Sequence, residues 1–118
     1  MGTVNIDNWV VQLRKGVLEL CLVNLLANGE IYGYDVVKQL ARVKGLVVTE
    51  GTVYPLLSRL RKAGLLTARL EESPSGPARK YYGLSSEGRQ ARVLMNACWG
   101  DLLKGIAELQ KEREGNHG

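Results

Sequence analysis

Val48-Thr49-Glu50-Gly51-Thr52-Val53-Tyr54-Pro55-Leu56-Leu57-Ser58-Arg59-Leu60-Arg61-Lys62-Ala63-Gly64-Leu65-Leu66 is the stretch that decides the fold. Val53, Leu56, Leu57 and Leu60 follow the i, i+3, i+4, i+7 spacing of one apolar stripe on an amphipathic helix. The Thr49 hydroxyl can cap its start. Gly64 stands where a helix closes in a left-handed residue, with Leu65 as the apolar contact of that cap. Pro55 must lie in the first turns or kink the helix, because an interior proline loses a hydrogen bond and clashes with the preceding turn. Away from the leucines the helix presents Thr52, Tyr54, Ser58, Arg59 and Lys62. A face of donors, acceptors, one ring and positive charge suits the major groove of DNA, and it equally suits plain solvation.

The chain before this helix reads as two more helices. The first spans Asp7 to Ala27, with Trp9, Val10, Leu13, Val17 and Leu20 on one stripe and Leu18, Leu22, Leu25 and Leu26 on another. From Val17 onward it is apolar nearly all round, the mark of a central helix. Asn24 interrupts that run, either as a satisfied polar residue or a partly exposed edge, or as a hydrogen-bonding group facing a cavity or a partner helix. Asn28-Gly29 closes the helix with a left-handed cap. After a short connection over residues 30–34, a second helix runs from about Gly33 to Val43, ended by Gly45. Leu46-Val47-Val48 is an extended link, long enough for a single bridge at most. Two short helices joined this tightly form a helix-turn-helix.

Beyond Leu65 the apolar period changes. Leu66, Ala68 and Leu70 alternate with Thr67, Arg69 and Glu71, a strand pattern of period two. Residues 73–77, Ser-Pro-Ser-Gly-Pro, are a turn. Arg79 to Leu84 is a second strand, with Arg79 and Lys80 flanking the tip. An antiparallel hairpin directly after the reading helix makes a winged helix. Ser85 then caps a last helix to about Glu112, with Glu87 favoured in its first turn. Met95, Trp99, Leu102, Ile106 and Leu109 repeat at four, three, four, three, a heptad seam. A small DNA-binding head does not need so long a stripe for its own core. The simplest cover is a second copy of the chain, packed with the first helix. Residues 113–118 read as a frayed tail that holds the only histidine, His117. The division is therefore 1–84 as the head and 85–118 as dimerisation helix and tail, in one compact unit.

Charge supports this reading. Residues 38–92 carry eleven Lys/Arg against four Asp/Glu, and the rest five against eight, so the overall +4 conceals a basic middle of +7. A local excess of this kind points to a polyanion-binding surface. No Ser-His or Cys-His pair is available, no phosphate loop is present, and Glu71-Glu72 point to opposite faces of a strand, so an enzyme is disfavoured. No metal or cofactor is expected. Cys21 and Cys98 lack metal or redox spacing and read as free buried thiols in a reducing cytoplasm. Neither a signal peptide nor a membrane-spanning run is visible. The rival to DNA binding is a winged helix that docks to another protein.

The strings Gly51-Thr52-Val53-Tyr54-Pro55-Leu56-Leu57-Ser58-Arg59-Leu60, Gly64-Leu65-Leu66, Arg79-Lys80-Tyr81-Tyr82-Gly83-Leu84-Ser85 and Gly88, together with the turn Tyr32-Gly33-Tyr34, resemble the PadR family of bacterial transcription regulators. The single C-terminal helix is similar to the short PadR subfamily. The resemblance implies a winged-helix homodimer on a palindromic operator, usually a repressor of its own gene or a transporter gene. It also implies that a flat aromatic effector can enter the dimer interface between tryptophans of the last helix. Trp99 matches that position, and its alternative role is plain dimer core. The expected DNA-binding residues are Tyr34, Lys38, Thr49, Thr52, Tyr54, Ser58, Arg59, Lys62, Arg79 and Lys80. The expected effector residues are Leu13, Leu20, Asn24, Trp99 and Leu103. The expected dimer interface is Trp9, Met95, Trp99, Leu102, Ile106 and Leu109.

Overall fold

A computed structural model of the chain describes residues 3–115, with side chains as far as Lys111. Its elements are α1 (Asp7–Leu25), β1 (Ile31–Tyr32), α2 (Gly33–Leu40), α3 (Glu50–Lys62), β2 (Leu66–Ser73), β3 (Gly76–Leu84) and α4 (Ser86–Gly115). The fold is mainly α with a small antiparallel sheet, a winged helix-turn-helix carrying a long C-terminal helix.

The stripe of α3 is the floor of the core. Val53, Leu56, Leu57 and Leu60 are all buried, against Leu22, Val23 and Leu26 from the end of α1, Val36, Val37 and Leu40 of α2, and Leu66, Tyr82 and Leu84 of the sheet. At its start Thr49 and Thr52 form a reciprocal cap: the Thr49 N–H donates to the Thr52 hydroxyl at 3.3 Å, which donates to the Thr49 carbonyl oxygen at 2.9 Å. At its end Gly64 takes φ +83°, and the N–H groups of Gly64 and Leu65 return to the carbonyls of Arg61 and Leu60, closing a Schellman motif. Pro55 sits in the second turn, where its missing N–H leaves the Gly51 carbonyl without a helical partner.

Several boundaries differ from the sequence reading. The first helix ends at Leu25 and tightens into a 3-10 turn over Leu26–Asn28, and Gly29 adopts φ +139° with ψ −179° instead of a left-handed cap. The second helix stops at Leu40, not Val43, and runs into turns up to Gly45 at φ +88°. Residues 46–48 form no strand, and Val47 takes φ +53°, a conformation a β-branched residue rarely adopts. The hairpin has a third strand: β1 pairs with β3 through Ile31–Tyr82 and Tyr32–Tyr81, giving the order β1-β3-β2. Because β3 begins at Gly76, Arg79 and Lys80 lie within the strand opposite Glu71 and Leu70, not at the tip. The expected frayed tail is helical as far as Gly115, and His117 lies outside the described residues. Both cysteines are free, but Cys21 is only half-buried and Cys98, on the face of α4 away from the core, is exposed where burial was expected.

The start of α4 is fastened to the end of α3. The Ser85 N–H donates to the Leu65 carbonyl at 3.1 Å, and the Ser85 hydroxyl donates to the Gly64 carbonyl at 2.6 Å while accepting the Gly88 N–H at 3.0 Å. The approach is so close that a Cβ on Gly88 would stand 2.0 Å from the Leu65 oxygen. Hydrogen bonding to its own backbone N–H, then to the Ser86 hydroxyl, holds the neighbouring Glu87 carboxyl below the usual carboxylate range.

Beyond this joint the chain is not compact. Its radius of gyration is 18.1 Å and its extents are 69 × 38 × 21 Å, whereas a compact domain of this length has a radius of about 13–14 Å. The excess comes from α4, whose residues 101–111 are all exposed, and from the first half of α1.

Candidate nucleic-acid interface

With about 100° between successive helical residues, the buried stripe of α3 divides its other residues into three groups. Gly51, Pro55, Ser58 and Lys62 lie opposite the core and are exposed. Thr52 and Arg59 lie on the flank toward α1, where they border an open groove of about 580 Å³ shared with Val11, Arg14 and Leu18. Arg59 pairs there with Glu19 of α1. Tyr54 lies on the opposite flank, toward the sheet, and Arg61 follows it two turns later on the same side. The sequence reading placed Thr52, Tyr54, Ser58, Arg59 and Lys62 on one face. The structure spreads them over three, with the Arg59 guanidinium held by a carboxylate and the Thr49 and Thr52 hydroxyls engaged in the helix cap.

The flank carrying Tyr54 meets the start of α2 and the root of the wing at Gly33. A Cβ at Gly33 would stand 3.2 Å from the Tyr82 ring and 3.6 Å from both the Tyr54 ring and the Lys80 carbonyl. Burial, then the Glu50 carboxylate, raises the Tyr54 hydroxyl above its ordinary pKa, so at neutral pH it remains an O–H donor. Burial likewise raises Tyr82, partly offset by the Arg61 guanidinium nearby.

All five tyrosines of the chain gather in this region, and four cations stack on them. Lys38 lies 5.0 Å from the centre of the Tyr34 ring, Arg79 5.1 Å from Tyr32, Lys80 5.8 Å from Tyr82 and Arg69 4.9 Å from Tyr81. Arg69 is also bound by Glu30 at 3.0 Å and lies 3.9 Å from Glu71. Among the described residues Lys38, Arg61, Lys62, Arg79 and Lys80 have no carboxylate within ion-pairing reach. Beside the tyrosine cluster and the reading helix, these are cations available to a polyanion. Arg61 and Tyr32 were missed by the sequence reading. Arg61 was detectable as Tyr54 plus seven on the same helix side, but Tyr32 depended on recognising β1.

A second region lies between α1 and α4. Leu20, Asn24 and Trp99 border an open groove of about 620 Å³, together with Val17, Cys21 and Asn96. Leu13 and Leu103, expected beside them, do not border it and are exposed. Both readings of Asn24 hold in part: it faces the groove, and it is satisfied. Its amide nitrogen donates to the Leu20 carbonyl and to the Asn96 side-chain oxygen, each at 2.9 Å; its oxygen accepts from Asn96 at 2.9 Å and from Arg92 at 2.8 Å. Two donors and two acceptor sites are thereby filled, which leaves it no bond to offer a ligand. Met95 packs on the chain's own core. Trp9, Leu102, Ile106 and Leu109 are 60%, 55%, 50% and 64% exposed.

Among the described residues no cluster of metal-ligating side chains forms, and no helix is long and apolar enough to cross a membrane. The PadR-like family of transcriptional regulators matches residues 22–93. A transcriptional regulator from Mycobacterium tuberculosis is 28% identical over 105 residues, covering 89% of this chain and 96% of that protein. The crystal structure of a PadR family transcriptional regulator from Eggerthella lenta is 33% identical with TM-score 0.78, covering 89% of this chain and 91% of that one. The crystal structure of Bacillus subtilis PadR in complex with operator DNA is 27% identical with TM-score 0.58, covering 64% of this chain and 44% of that one.

Proposed function

The chain belongs to the PadR-like family of transcriptional regulators, and from that premise we propose that it is a cytoplasmic homodimeric repressor of a palindromic operator. Members of this family regulate transcription and are not enzymes. The observation that carries the proposal is the junction at Gly33, where the Tyr54 flank of α3, the start of α2 and the root of the wing meet, edged by Lys38, Arg61, Arg79 and Lys80 without carboxylate partners. The B. subtilis relative bound to operator DNA supports the partner. In this reading Tyr54, Ser58 and Lys62 approach the groove and its walls, while Lys38, Arg79 and Lys80 contact phosphates.

The extended shape and its exposed seam support the dimer. Leu102, Ile106 and Leu109 project from a stretch of α4 whose residues 101–111 are all exposed, and burying each in a partner gains about 1.5–3 kcal/mol. Trp9, Leu13, Val17 and Leu20 form one stripe along α1, continued by its N-cap residue Ile6, that supplies the matching surface in this reading. In this reading a flat aromatic effector enters the Trp99 groove, selected by shape and stacking because the Asn24 amide is already satisfied.

The test is the salt dependence of duplex binding. Each phosphate neutralised contributes about 0.9 to the slope of log K against log salt. Lys80→Ala should weaken all sequences about equally and lower that slope by roughly one unit per head. An unchanged slope removes the wing from the interface. Binding to no duplex at low salt refutes the proposal and favours a winged helix that docks to a protein.

A further inference from the structure

Tyr32 holds a place in the sheet that its short strand conceals. Its ring is the one ring in the cluster that packs on two others, Tyr81 at 5.8 Å and Tyr34 at 6.4 Å. It also carries Arg79, whose guanidinium lies 5.1 Å from its centre. The register explains the meeting: Tyr32 pairs with Tyr81, and Arg79 precedes Tyr81 by two residues on the same face of β3. The other arginine on this face, Arg69, is gripped by Glu30 as well as stacked on Tyr81. Arg79 has a ring and no carboxylate among the described residues. Its direction is set while its charge is not neutralised. An arginine oriented in this way has already given up much of the rotamer freedom that a free one loses on meeting a phosphate.

We infer that Tyr32 is a positioning residue of the DNA interface, aiming the Arg79 guanidinium at the backbone without touching DNA itself. The inference rests on the DNA-binding reading above and adds a residue to it. The aromatic face does the positioning, so Phe should replace Tyr32 and an aliphatic residue should not.

The full-length protein would be titrated against a fluorescein-labelled duplex of about 30 base pairs at several salt concentrations. Tyr32→Leu should weaken binding about twofold to fivefold per head, and Tyr32→Phe should restore it. In an Arg79→Gln background Tyr32→Leu should change nothing further. Equal losses with and without Arg79 would show a structural defect and overturn the inference, as would a Phe variant no better than Leu. Should Tyr32→Leu fail to fold, the unaltered protein decides: the Arg79 side-chain methylenes should show upfield ring-current shifts by NMR in the absence of DNA, and random-coil shifts would overturn the inference. If the unaltered protein binds no duplex while those shifts are present, the DNA reading has failed and the ring contact has not.

Discussion

Replacing Glu19 by Gln should strengthen DNA binding, although Glu19 stands on α1 and outside the reading helix. Its carboxylate holds Arg59, whose side chain is 61% exposed against 31% for Glu19. A pair this open to solvent is worth about 0.2–1 kcal/mol. Arg59 must give up that energy to turn toward a phosphate, and Gln removes most of it. The gain in affinity is then about 1.4- to 5-fold per head, or roughly 2- to 30-fold when two heads engage together. If Arg59 reaches a phosphate, the salt slope steepens by about 0.9 per head. The folded state loses no more than the pair was worth, a fall in Tm of a few degrees. Fluorescence anisotropy of a labelled duplex, repeated across salt concentrations, measures affinity and slope together. In an Arg59→Gln background the Glu19 change should lose its effect. The reasoning is refuted if Glu19→Gln leaves affinity unchanged or lowers it, or if the gain persists without Arg59, which would reduce it to a general effect of charge.

The dimer should fail when charge enters the seam: Leu102→Arg with Ile106→Arg should give monomers or unfolded chains, and light scattering showing the unaltered protein monomeric at micromolar concentration would contradict the assembly. Gly88→Ala should destabilise by several kcal/mol, because the new Cβ would stand 2.0 Å from the Leu65 carbonyl oxygen; a melting curve within about 2 °C of the original would show that the joint yields. With Trp9 changed to Phe, a planar dye such as ethidium should quench the Trp99 fluorescence, and Trp99→Ala should abolish binding of the dye while leaving the dimer. If Trp99→Ala dissociates the dimer and no planar compound quenches, the groove belongs to the interface alone.

The parts of the fold visible in the sequence were those in which one residue pattern serves one environment. Val53, Leu56, Leu57 and Leu60 meet a single core, so their spacing announced both the helix and its buried side. The left-handed glycine at position 64 and the serine cap at position 85 are local chemistry and needed no tertiary knowledge. β1 stayed hidden because two residues carry no period, and its existence depends on β3, some fifty residues away. The candidate site was legible by residue type but not by direction. A polar face read from a helical wheel cannot show that Glu19 faces Arg59 or that Arg79 meets Tyr32, since both partners come from distant elements. Asn24 shows the same limit: an interruption in an apolar run was plain, but its saturation by Asn96 and Arg92 was not.

The joint at Ser85 and Gly88 has a geometric consequence for the operator. It fastens α4 to the end of α3 through two hydrogen bonds from Ser85 and a contact that admits no side chain. In the proposed dimer each reading helix is thus welded to its own arm of the seam, and the pair acts as a caliper with a fixed gap. Such a caliper suits half-sites whose centres lie one turn of DNA apart, about 34–36 Å. One added base pair moves a half-site by about 3.4 Å and rotates it by roughly a tenth of a turn. The welded joint offers no swivel to follow that rotation, so the length of the operator's spacer is itself part of what the protein recognises.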